Sequence, residues 1–198
     1  MPKTTRTFVA LTVPDNLGVK LTRLQSLLAP DIPGVRWSAI PPFHLTLAFL
    51  GDVAQTDLNA VCKVVAQAAA DVPPFELRLE KLGVFPDPSK PRVVWVGIIG
   101  PGLDALAELQ RRVVAAVDSI GYRADDRFHP HVTLGRMTQG RGPGLDVTPW
   151  LNHYRTWAAG SFRVAEVVTF ASALNPEGPV YSALGRTPLN ARKPRPTA

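Results

Sequence analysis

Two short stretches of the chain carry the same arrangement of residues able to move protons and hold anions: His44-Leu45-Thr46-Leu47 and His131-Val132-Thr133-Leu134. The 198 residues include only four histidines, and two of them fall inside this repeat. In an extended strand, residues i and i+2 project from the same side, so each copy offers an imidazole and a hydroxyl together. Two imidazoles suit in-line displacement at a phosphodiester or a cyclic phosphate, where the nucleophile enters opposite the departing oxygen. One ring must accept a proton while the other supplies one. An unperturbed histidine pKa of about 6.5 lets one ring be neutral and the other protonated near neutral pH. Thr46 and Thr133 would donate hydrogen bonds to the non-bridging oxygens, whose charge calls for fixed donors. This chemistry requires no metal.

The other candidates are weaker. His129 has no pattern partner and reads as a loop residue beside the site, while His153, in Trp150-Leu151-Asn152-His153-Tyr154, reads as part of a short helix. No His-Glu-x-x-His, cysteine ligand set or carboxylate cluster accompanies the histidines, so neither a metal nor another cofactor is expected. Cys62 is the only cysteine, which excludes an intrachain disulfide. It shares a helical stripe with Leu58, Val61, Val65 and Ala69 and is expected in the core. Arg136, five positions after His131, would neutralise a phosphate well. Strict strand alternation nevertheless turns it to the opposite face, and it reaches the site only if the strand ends or bulges near Gly135.

The elements that must position these groups follow from periodicity. Strand-like 8–13 leads through Pro14-Asp15 into a helix carrying Leu17, Leu21, Leu24 and Leu28 on one face and closed by Pro30. Residues 35–38 and 44–50 read as strands around Pro41-Pro42, and a helix is expected over 56–71. Alternation of Phe75, Leu77 and Leu79 with charged residues gives a half-wet strand, and the apolar run 93–99 a central one. Residues 85–91 form the turn between them. Leu103, Leu106, Val113, Val117 and Ile120 mark a further helix ending at Gly121, followed by strands over 131–135, 162–173 and 180–184. Residues 140–144, rich in glycine, read as a flexible connector. Frequent hairpin-like pairs favour α+β with mostly antiparallel sheet over a doubly wound parallel fold. Each copy of the repeat follows a helix and a loop, which suggests two related lobes facing each other.

Length and charge bound the rest. One globular unit over 1–189 is expected, with a basic, proline-interrupted tail over 190–198 that stays disordered. With 22 basic and 16 acidic side chains the net charge is +6, which favours polyanionic partners such as nucleic acid. No apolar run approaches the roughly 18 residues of a membrane span. The amino-terminal residues show no signal-peptide pattern, so a cytoplasmic protein is expected.

Beyond the two patterns, the chain carries Arg36-Trp37 before a proline-rich turn, then His44-Leu45-Thr46-Leu47-Ala48-Phe49-Leu50-Gly51. Further on come Leu82-Gly83-Val84-Phe85-Pro86, Pro91-Arg92-Val93-Val94-Trp95-Val96-Gly97, and Phe128-His129-Pro130-His131-Val132-Thr133-Leu134-Gly135-Arg136. In these landmarks and their order the sequence resembles the two-histidine phosphoesterases, most closely the LigT-like RNA 2',3'-cyclic phosphodiesterases, historically called 2'-5' RNA ligases. The resemblance implies a bilobal α+β fold in which two mostly antiparallel sheets, related by a pseudo-twofold, line a central cleft with helices outside. It implies hydrolysis of a terminal 2',3'-cyclic phosphate to a 2'-phosphate, with His131 as general base, His44 as general acid and Arg136 in the phosphate site. Phe128 lies where an aromatic ring could stack on a base, and it reads equally well as a core residue. The implied partner is RNA with a cyclic phosphate end, or a small cyclic nucleotide, taken by a monomer with no obligate protein partner. Reverse 2'-5' ligation is the same chemistry run backwards. Two alternatives stay open: the same site acting on 2'-5' oligonucleotides, ADP-ribose cyclic phosphate or cyclic mononucleotides, and a noncatalytic RNA-binding module.

Overall fold

Hydrophobic period decides which segments become helix and which become strand, and the computed structural model, which describes residues 3–38, 42–124, 127–138, 145–175 and 178–190, follows that division. In chain order the elements are β1 (Thr4–Thr12), α1 (Asp15–Leu28), β2 (Val35–Trp37), β3 (His44–Ala54), a 3-10 turn (Gln55–Asp57) and α2 (Leu58–Ala69). There follow β4 (Phe75–Phe85), β5 (Val93–Ile99), α3 (Leu103–Asp118), β6 (His131–Met137), α4 (Thr148–His153), β7 (Ala158–Val164), β8 (Glu166–Asn175) and β9 (Gly178–Pro188). Leu17, Leu21, Leu24 and Leu28 of α1 are all buried, as the stripe requires. Cys62 lies only half-buried, its sulfur facing the backbone of β9 at Gly185. The expected connector over 140–144 and residues 191–198 of the expected tail lie outside the described residues.

All strands pair antiparallel, in the order β7-β4-β5-β6-β3-β1-β8-β9, with β2 added to β6. The order divides into two four-stranded halves, β9-β8-β1-β3 and β6-β5-β4-β7. They meet through the single register pair Leu45 and Val132. The two sheets expected from sequence are therefore halves of one continuous sheet, joined where the two His-x-Thr strands start. The helices cross between the halves. α1 leaves β1 of the first half and packs on the second, where the Lys20 ammonium donates to the Ala159 carbonyl of β7 at 2.6 Å. α3 leaves β5 of the second half and packs against β3 and α2 of the first.

One expectation needs correction. Residues 162–173 are not one strand: β7 ends at Val164, β8 begins at Glu166, and Ala165 turns the chain between them. β7 completes the second half beside β4, whereas β8 completes the first beside β1. Alternation slips by one residue at the break, buried Phe162 and Val164 giving way to Glu166 and buried Val167, and tertiary pairing completes the switch of half.

Both His-x-Thr strands carry a bulge at the same point. In β3 the register with β1 passes from Thr46 to Ala48, leaving Leu47 unpaired on that side. In β6 the register with β5 passes from Thr133 to Gly135, leaving Leu134 unpaired. An inserted residue reverses the inward and outward alternation beyond it. Position five after each histidine, Phe49 and Arg136, therefore returns to the face that carries the histidine and threonine.

Candidate active site

Each histidine opens its strand, and a carbonyl two residues upstream fixes its ring. His44 Nδ1 lies 3.1 Å from the Pro42 carbonyl oxygen, and His131 Nδ1 lies 2.6 Å from that of His129. A carbonyl can only accept, so Nδ1 carries the proton in both rings and donates it. Nε2 is left as the atom that can exchange protons with a substrate. Since strand pairing brings the two halves together at Leu45 and Val132, the residues beside them, His44 and His131, line one cavity of about 520 Å³. Thr46 and Thr133 line the same cavity, as alternation predicts.

Aromatic rings back both imidazoles. His44 lies with ring centroids 5.0 Å from Phe8 and 5.1 Å from Tyr181, the latter edge-on. His131 lies 5.1 Å from Phe85, edge-on, and 6.1 Å from Trp95. Gly83 admits that tryptophan, since a Cβ there would meet the indole ring at 2.1 Å. Burial in these surroundings pushes the pKa of both histidines below the ordinary value of 6.5, against the opposing pull of the carbonyls that accept from Nδ1. Positive charge adds to the effect: Arg136 and His131 act on His44, and His129 and Arg136 act on His131. An empty site therefore favours neutral rings, and an incoming anion would favour protonation.

Arg136 lines the cavity. The bulge at Leu134 resolves the alternation problem: Thr133 is opposite Trp95 and Arg136 opposite Val93, two residues apart on β5 and so on one face. Arg36 of β2 stands directly opposite Arg136 and also lines the cavity, and Arg6 of β1 lines its other side. Gly135 permits the approach of β2, because a Cβ there would meet the Val35 side chain at 2.5 Å. Tyr181 sits beside His44, where burial raises its pKa against the opposing influence of Arg136 and Arg6, keeping the hydroxyl a neutral donor.

Phe128 is not brought to this site. Its ring is half-buried against the main core and does not line the cavity, because residues 127–130 precede β6 and run past the core edge. His153 ends α4 and stacks edge-on against Tyr154, away from the cavity. His129 contributes its carbonyl to His131, and its ring packs at 5.1 Å from Trp95. Sequence reasoning missed Phe49, which is 55% exposed at the cavity. Aligning the two repeats would have found it, since it occupies the position of Arg136. Nothing near Tyr181 in sequence signals its placement. Among the described residues no group of three or more His, Cys, Asp or Glu is arranged to hold a metal ion.

Known proteins resemble the chain in sequence and in architecture. The family model of the 2'-5' RNA ligase superfamily matches residues 9–173. An RNA 2',3'-cyclic phosphodiesterase of Methanothermobacter thermautotrophicus is 31% identical over 177 residues, covering 89% of this chain and 95% of the relative. A crystal structure of a Thermus thermophilus protein superposes with a TM-score of 0.75 at 27% identity, covering 93% of this chain and 97% of that one. E. coli LigT complexed with 3'-AMP superposes with a TM-score of 0.74 at 26% identity, covering 94% and 99%.

Proposed function

The chain belongs to the 2'-5' RNA ligase superfamily, and on that footing we propose that it hydrolyses the 2',3'-cyclic phosphate at an RNA end to a 2'-phosphate. The observation that carries this reading is one cavity lined by two imidazoles from opposite halves, each with Nδ1 on a carbonyl and Nε2 without a hydrogen-bond partner among the described residues. The name of the 31% identical relative supports the substrate class. The cavity volume also lies within the range of about 300–1,000 Å³ usual for small-ligand sites.

In the proposed reaction His131 Nε2 takes a proton from water, whose oxygen bonds to phosphorus. The bond from phosphorus to the 3' oxygen breaks as His44 Nε2 gives that oxygen a proton. His131 ends protonated and His44 neutral, and solvent exchange restores both. Thr46 and Thr133 donate to the non-bridging oxygens, and Arg136 offsets their charge. Each proton transfer contributes about 10²- to 10⁴-fold in rate. With a 5'-hydroxyl in place of water, the reverse reaction would form a 2'-5' linkage. Phe49 and the neutral Tyr181 hydroxyl flank the site where a base and ribose would lie.

The test is an RNA oligonucleotide bearing a 2',3'-cyclic phosphate, followed by phosphorus NMR with and without EDTA. A single 2'-phosphate product, formed equally fast with the chelator, is expected. A 3'-phosphate product, or RNA binding without turnover, would overturn the reading. Loss of activity in EDTA would replace proton transfer alone with a metal-assisted route.

A further inference from the structure

β2 is three residues long and pairs only with β6, yet it brings Arg36 directly opposite Arg136. Opposed residues of an antiparallel pair share a face, and like charges there are destabilising. Among the described residues no carboxylate forms an ion pair with either arginine. Ser38 N–H donates to the Leu134 carbonyl and Thr138 N–H to the Gly34 carbonyl, both at 2.8 Å, at the two ends of this short pairing, and a strand carrying such a pair gains from fastening outside the ladder. Gln25 supplies it from α1, the helix that crosses from the other half. Its side chain is buried, 6% exposed, and its Nε2 donates to the Leu134 carbonyl at 2.8 Å and to the Ser38 carbonyl at 3.0 Å. Leu134 is the bulged residue of β6, and Ser38 directly follows β2. One buried amide group thus ties the end of β2 to the bulge that turns Arg136 into the cavity. Burying an amide is costly unless its protons find acceptors, and here both do.

The first half offers a contrast. Gln110 of α3, 8% exposed, reaches the equivalent bulge carbonyl of Leu47 at 3.5 Å and, among the described residues, makes no second bond to a flanking strand. Among the described residues that half has no counterpart of β2 and no opposed cations, and its glutamine has nothing comparable to hold.

We propose that Gln25 is a positioning residue that latches β2 onto β6 and thereby holds Arg36 beside Arg136 as a paired-cation seat for the substrate phosphate. The inference rests on the phosphoesterase reading for its ligand but is read through inorganic phosphate, which binds with or without turnover. Gln25→Met keeps length and apolar volume and removes the donors. It should weaken phosphate binding, measured by calorimetry, by about five- to tenfold. In an Arg36→Ala background the same change should weaken binding by less than about twofold. Under turnover, Gln25→Met should raise KM by a similar factor with kcat changed less than about twofold and the pH profile unmoved. Equal weakening in both backgrounds, or none in either, would overturn the latch. In the wild-type protein, both Gln25 side-chain amide protons should exchange far more slowly than those of an exposed glutamine. Rapid exchange would overturn the proposal even if Gln25→Met does not fold. Absence of cyclic-phosphate turnover with the binding pattern intact would sink the proposed function and leave the latch standing.

Discussion

The half of the sheet that carries His44 and the half that carries His131 start from closely similar residues, His-Leu-Thr-Leu-Ala-Phe and His-Val-Thr-Leu-Gly-Arg, and end with different surroundings. What they share is geometric. Each strand opens on a histidine whose Nδ1 is tied to the carbonyl two residues upstream, and each bulges at the fourth residue. What differs lies beyond the bulge and behind the ring. The first half presents Phe49 and backs its histidine with Phe8, Phe170 and Tyr181. The second presents Arg136, reinforced by Arg36 of the added strand, and backs its histidine with Phe85, Trp95 and His129. The common features bring two imidazoles to one cavity. The divergent features give one wall of the cleft Phe49 and Tyr181 with a single cation, Arg6, and the other two cations, Arg36 and Arg136, beside Trp37, a bias suited to a ligand with a base toward one end and a phosphate toward the other.

The largest expected effect breaks the apparent equality of the two histidines. His44→Ala and His131→Ala should each lower turnover by about 10²- to 10⁴-fold without unfolding the protein. A cyclic substrate with sulfur in place of the 3' oxygen has a leaving group that needs no proton. It should restore most of the rate to His44→Ala and little to His131→Ala. Rescue of His131→Ala instead would exchange the two roles.

The next effect is on the cationic wall. Arg136→Ala should cost about 10- to 100-fold in kcat/KM, the range of a charge-assisted hydrogen bond. Arg136→Lys should recover only part, since an ammonium cannot offer two parallel donors. Full recovery would reduce Arg136 to a point charge. On the aromatic wall, Phe49→Ala should raise KM by about fivefold or more through lost stacking, with kcat nearly unchanged and Phe49→Trp near wild type. An unchanged KM would remove the base from that wall.

The smallest effect is thermodynamic. Burial holds both imidazoles below 6.5 in the folded protein. As pH falls through 6.5 the unfolded chain takes up protons that the folded rings resist, so the folded state loses stability below that pH. Melting temperature should therefore decline from about pH 7.5 to about pH 5.5, a window that brackets the unfolded-state value, and less steeply in a His44→Gln, His131→Gln double variant. Parallel declines would show that these rings carry none of it.

The chemistry was legible because it resides in side chains repeated at fixed spacing. The two His-x-Thr patterns sufficed to bring His44, Thr46, His131 and Thr133 to one face of each strand by alternation alone. Arg136 was half legible: its distance from His131 was visible, but its face depended on a bulge at Leu134 that only pairing with β5 reveals. Phe128 stood open between base stacking and core, and because its proximity to His131 ends where β6 begins, its ring packs against the core. Tyr181 was out of reach because β9 arrives beside His44 through pairing with β8, far along the chain. The division of 162–173 into two strands left only a one-residue slip of the apolar alternation at Ala165-Glu166, with no proline or glycine to mark the break.

The central claim is that the two imidazoles address a single phosphorus atom, and nitrogen-15 histidine NMR during titration with a nucleoside 2'-phosphate tests it most directly. The account predicts that the Nε2 signals of His44 and His131 move together, with one Kd and one equivalent of ligand, toward the protonated position. Movement of only one ring, or of the two with different affinities, would contradict it.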